Sequence, residues 1–110
     1  MPTVYKVLGQ SAPSSTANAN LYTVPASTSA IVSTLVIANT TATAATARVF
    51  ARIAGATAAA SNAIIYDASI PANSTATFTL GMTLATTDII TVQTGTSNAL
   101  TFTAFGSEIS

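Results

Sequence analysis

The stretch from Ala30 to Asn39, reading Ala-Ile-Val-Ser-Thr-Leu-Val-Ile-Ala-Asn, constrains this chain more than any other. It is the longest apolar run and the richest in β-branched residues. Such side chains lose rotamer freedom in a helix and pack well on a pleated sheet, so the run is predicted to be a strand. On a strand, Ile31, Ser33, Leu35 and Ile37 point to one side, and Val32, Thr34, Val36 and Ala38 to the other. Both sides are mostly apolar. That predicts an interior strand covered on both faces.

The rest of the chain supplies shorter runs of the same kind, separated by turn residues. Strands are predicted over Thr3–Gln10, Leu21–Val24, Thr46–Ile53, Ala63–Ile70, Ser74–Leu80, Asp88–Thr94 and Ala99–Phe105. Pro13, Pro25, Pro71 with Asn73, and Gly95 fall between them. Ala54 to Asn62 is too short and too poorly capped for a stable helix, so it reads as a loop. Alternation assigns Ile64, Tyr66, Ala68 and Ile70 to the inner face of their strand, with Ile65, Asp67 and Ser69 on the outward face. It also assigns one core to Ile31, Leu35, Ile37, Val49, Phe78, Leu80, Leu100 and Phe102. About eight short strands in 110 residues predict one all-β domain, 1–110, folded as an antiparallel sandwich. Jelly-roll and immunoglobulin-like connectivities both fit this spacing.

Only 5% of the residues are charged, against about 25% in an average soluble domain. Thr, Ala and Ser make up the difference, so the surface is neutral and rich in hydroxyls. Three basic residues against three acidic ones give no net charge and no track for a phosphate backbone, so nucleic acid is not an expected partner. No apolar run approaches the ~18 residues of a membrane helix, and the start of the chain lacks the pattern of a secretory signal. A soluble protein made in a cytoplasm is the expectation. Without cysteine, neither disulfides nor thiolate metal sites exist.

Candidate chemistry is sparse. Asp67, Asp88 and Glu108 lie far apart in sequence, and no His is present to activate a Ser or Thr. Asp88 reads as a turn residue at a strand start, Glu108 as part of a C-terminal tail. No catalytic, cofactor or metal site is expected, and no Asp-rich or glycine-rich loop suggests one. Arg48, Phe50 and Arg52 share one strand face, a candidate protein-contact patch because Arg and aromatics are enriched in interfaces. The competing reading pairs the arginines with Asp67 on the next strand. Thr75, Thr77 and Thr79, with Thr101 and Thr103, form threonine ladders, which read as the polar faces of amphipathic strands. The sequons at Asn39 and Asn73 read as turns.

Several segments together are familiar: Tyr5-Lys6-Val7-Leu8-Gly9-Gln10-Ser11-Ala12, Leu21-Tyr22-Thr23-Val24-Pro25-Ala26 and the end Phe105-Gly106-Ser107-Glu108-Ile109-Ser110. Between them lie Ile70-Pro71-Ala72-Asn73 and Thr79-Leu80-Gly81-Met82-Thr83-Leu84-Ala85. Across nearly the whole chain this pattern resembles small virion structural proteins of tailed bacteriophages, particularly marine and cyanobacterial phages. The resemblance implies a non-enzymatic β protein built into the particle. Members of that group carry more charge in the middle, where this chain has Thr41 to Ala47, so no binding residue carries over from there.

The expected function is that of a capsid decoration or cement protein. It would be made in the bacterial host and located in the virion. It would bind the major capsid protein and self-associate as a homotrimer. The alternatives are a tail, baseplate or fibre module and a carbohydrate-binding adhesion module, the latter requiring exposed aromatics.

Overall fold

The computed structural model describes residues 3–110, apart from the side chain of Leu80, so that predicted core position lies outside the described residues. Among the described residues eight strands form: β1 (Thr3–Ser11), β2 (Ala19–Thr23), β3 (Ser29–Asn39), β4 (Ala45–Arg52), β5 (Ala63–Ile70), β6 (Thr75–Leu84), β7 (Ile89–Thr94) and β8 (Leu100–Ile109). They make two four-stranded antiparallel sheets. The first has the order β1-β8-β3-β6 and the second β2-β7-β4-β5.

This order resolves the connectivity. β1 pairs with β8, β2 with β7, β3 with β6 and β4 with β5. The chain is thus one long hairpin, centred on the β4–β5 connection, whose paired strands fall alternately in the two sheets. That is the jelly-roll arrangement. Val32, Leu35, Ile37, Val49, Ile70, Ile90, Val92, Leu100 and Phe102 fill the space between the sheets and are almost fully buried.

Two strands run several residues longer than predicted. β6 continues through the expected connection to Leu84, and β8 continues to Ile109. Glu108 therefore lies in a strand, not in a tail. Ala54 to Asn62 remains a connection, containing two 3₁₀ turns at Ile53–Gly55 and Ala60–Asn62.

Bulges account for the misassigned faces. Thr34 pairs with Phe105, and Val32 pairs with Gly106, so Ser33 is an extra residue against β8. Beyond it the alternation reverses: Ala30 and Val32 are buried, as are Leu35 and Ile37. Ile31, a predicted core residue, is moved to the outer face and only half-buried. In β5, Tyr66 and Asp67 together oppose Arg48, and Asp67 has a left-handed backbone, φ 56°. Ile65 consequently turns into the core, whereas Ile64 and Tyr66, predicted inward, are exposed. A bulge reverses side-chain parity, and period-two reasoning fails wherever one occurs.

Two glycines mark close approaches between strands. A Cβ on Gly106 would lie 1.8 Å from the Ile31 carbonyl oxygen, beside the Ser33 bulge. One on Gly9 would lie 2.2 Å from the Leu21 carbonyl oxygen, where β1 leans on β2. Only a residue without a side chain fits either position.

β3 lies between β8 and β6, as expected of the apolar run. Its outer face is not covered, contrary to expectation. Thr34, Val36 and Ala38 are only half-buried there, flanked by Thr75, Thr77 and Thr79 of β6 and by Thr101 and Thr103 of β8. Phe78, a predicted core residue, is likewise only half-buried, because β6 forms the edge of its sheet.

Candidate interaction surface

β4 places Arg48, Phe50 and Arg52 on the outer face of the second sheet, as their spacing predicts. The structure gives each a local partner. The Arg48 Nε donates to Asp67 Oδ1 at 2.6 Å, and Nη2 donates to Oδ2 at 3.2 Å. The same guanidinium lies 4.2 Å from the centroid of the Tyr66 ring. The β5 bulge makes this possible, since it turns Tyr66 and Asp67 together toward Arg48. Its hydrogen bonds hold the Asp67 carboxyl below the usual carboxylate range and raise the guanidinium further. The pair is solvent-exposed, so it fixes geometry more than it stabilises the fold.

Arg52 acts as a fastener. Its Nε donates to the Ala56 carbonyl at 2.6 Å and Nη2 to the Gly55 carbonyl at 3.1 Å. Nη1 donates to Thr91 Oγ1 and to Asn20 Oδ1. Four acceptors on three segments tie the 53–62 connection to β2 and β7. Ala60–Asn62 packs against β4, and Phe50 is only 4% exposed. The ring of Phe50 is therefore unavailable to a partner, which corrects its place in the expected contact face. What remains outside is the Arg48–Asp67 pair, beside a polar hollow of about 170 Å³ lined by Thr16, Thr46, Gln93 and Thr94. Ligand pockets ordinarily measure about 300–1,000 Å³, so this hollow is small for an organic ligand.

The other carboxylates are also committed. Asp88 accepts from the backbone amides of Ala54 and Ala85, both at 2.9 Å, and so ties the 53–62 connection to the β6–β7 turn. Glu108 accepts from the Tyr22 hydroxyl at 2.5 Å and meets Lys6 Nζ at 2.9 Å. Burial and the Glu108 carboxylate push the Tyr22 hydroxyl pKa up, while the Tyr22 and Lys6 hydrogen bonds hold Glu108 below its ordinary value. This trio joins β1, β8 and β2 across the two sheets. Reading Glu108 as a tail residue concealed it. The available signal was Lys6 as the one charge in an otherwise uncharged first strand.

All six charged side chains thus have partners within the chain. Among the described residues no group of three His, Cys, Asp or Glu could hold a metal. The Asn39 side chain is buried, donating to the Thr43 and Ile70 carbonyls and accepting from Thr41, as suits a turn.

The rest of the surface is mostly uncharged, with Lys6 bordering the first of two grooves and Arg52 and Asp88 the second. On the outer face of the first sheet, Tyr5 is 83% exposed, and Val7 and Phe105 are exposed beside it. Ile31 and Ser33 complete a shallow groove there. Near the far edge, Ile53 is 74% exposed and Ile64 is exposed too, beside half-buried Met82 in a second groove.

No family model matches this chain, and no curated protein matches it. Among solved structures, a chain in the structure of infectious bursal disease virus, Gx strain, is similar over 97% of this chain, at 15% identity and a TM-score of 0.53. The match spans 31% of that longer chain. At this identity the likeness establishes a shared fold.

Proposed function

We propose that this protein is a virion structural component, and specifically a decoration or cement protein on the head of a tailed bacteriophage. The observation that carries the reading is that every charged side chain is partnered within the chain. A jelly roll that leaves no carboxylate, lysine or arginine free is suited to packing against other proteins, not to acid–base chemistry. The similarity to a chain from a virus structure supports the same class. So does the resemblance of the terminal segments to phage virion proteins, where Gly9 and Gly106 prove to be packing requirements. In this proposal the partner is the assembled major capsid protein. Three copies gather at a threefold junction, where repeated weak neutral contacts add up.

A carbohydrate-binding role is the second reading, favoured by the exposed Tyr5 and Phe105 beside a groove, since sugars stack on such rings. Jelly rolls serve lectins as well as capsids. The test is to mix the purified protein with intact shells and with free capsid subunits from the same particle, then sediment. Retention by shells and not by subunits is expected. Absence of shell binding, with retention on a glycan array lost in Tyr5→Ala, would replace this proposal with the second reading.

A further inference from the structure

The four sheet edges are not equally protected. β2 is only five residues long and kinked by an irregularity at Leu21. β5 carries the Asp67 bulge and its charged pair. β1 carries Lys6 and a bulge at Leu8, and leans on β2 near Gly9. Short length, charges, bulges and coverage are the devices that stop an edge from pairing further.

β6 is neither short nor charged, and among the described residues no strand pairs with its free edge. It runs ten residues from Thr75 to Leu84, with no charge and no proline, and pairs on one side alone, with β3. Its single irregularity, near Gly81 with φ 60°, leaves Thr75–Thr79 in regular register with Thr34–Ala38. A second observation concerns side chains. Ala76, Phe78 and Met82 pack on the core from this edge and are only partly buried. Ile53 and Ile64 stand exposed beside Met82. An open backbone edge and an incomplete apolar margin thus coincide.

We infer that the free edge of β6 joins two copies of this chain, antiparallel about a twofold axis, so that the four strands of each copy form one continuous sheet. The occupant is a second copy because the edge is complementary to itself. An antiparallel strand presents alternating donors and acceptors that match their own rotated image. With no charge on β6, the rotation opposes no like charges. An axis normal to the sheet keeps like faces together, placing the Phe78 and Met82 margin of one copy against that of the other. The inference does not rest on the virion reading, and a threefold grouping on a shell would use other surfaces.

The experiment is sedimentation equilibrium across a hundredfold concentration range. It compares the wild type with two double variants, Thr77→Lys with Thr79→Lys on the edge strand and Thr101→Lys with Thr103→Lys on interior strand β8. The wild type is expected to weigh two chains of 11.0 kDa at micromolar concentration. The edge variant is expected to weigh one, and the β8 variant two. A wild-type monomer or trimer, an edge variant that still dimerises, or a monomeric β8 variant would each overturn the inference, the last by indicating face-to-face association. Should the edge variant fail to fold, amide hydrogen exchange on the wild type decides. Protection of Thr75–Thr79 amides must rise with concentration while that of β1 does not, and concentration-independent exchange in β6 overturns the inference.

Discussion

Glu108 takes a proton donor from each sheet, the Tyr22 hydroxyl from one and Lys6 from the other. Its pKa is depressed in the folded chain, so its contribution to stability is complete above the ordinary glutamate value of about 4.3 and is lost as pH falls through the lower folded value. Wild type should therefore lose stability on acidification below about pH 4.5 more steeply than Glu108→Gln, which should already be less stable at pH 7. Urea titrations at several pH values check this, and parallel curves for the two proteins would refute it. Gly106→Ala places a methyl group against the Ile31 carbonyl, within a bulge that cannot retreat without breaking strand pairs. Overpacking of this kind costs about 1–3 kcal/mol, read as a lower midpoint of denaturation.

Strands were legible in the sequence, and the faces of several were not. β-Branched content, alternation and turn residues located all eight. The Ser33 and Asp67 bulges reversed the faces beyond them, because a bulge depends on the partner strand and leaves no mark in local periodicity. The same limit applied to Phe78, whose alternation fits a core position although edge placement leaves it half-buried. Phe102→Ala, in an interior strand, should cost about 3–5 kcal/mol, and Phe78→Ala clearly less. Equal losses, measured at dilutions where the chain is monomeric, would show that β6 is covered within a single chain. The Arg48, Phe50 and Arg52 face was likewise legible as a shared face. Its coverage was not, because the 53–62 connection carries no sequence sign of where it packs. Arg52→Ala should free that connection, giving new protease cleavage within residues 53–62 and a loss of about 1–3 kcal/mol. Unchanged cleavage would remove the fastening role.

At the scale of the whole molecule, six charges satisfy one another, the backbone or neutral side chains, and the uncharged outer face of β3, β6 and β8 is left outward. In the proposed role such a protein would meet its partner through shape, hydroxyls and apolar contact. Its attachment to a shell should change little between about 50 and about 500 mM salt, since no free charge is there to be screened. A steep decline with salt would show that an ion pair opens on binding. The proposed place of this protein in the phage head is decided by a cryo-EM map of the intact virion. The jelly roll is expected in many copies on the outer surface of the head shell. Density for it confined to the tail, or absent from the particle, would contradict that claim.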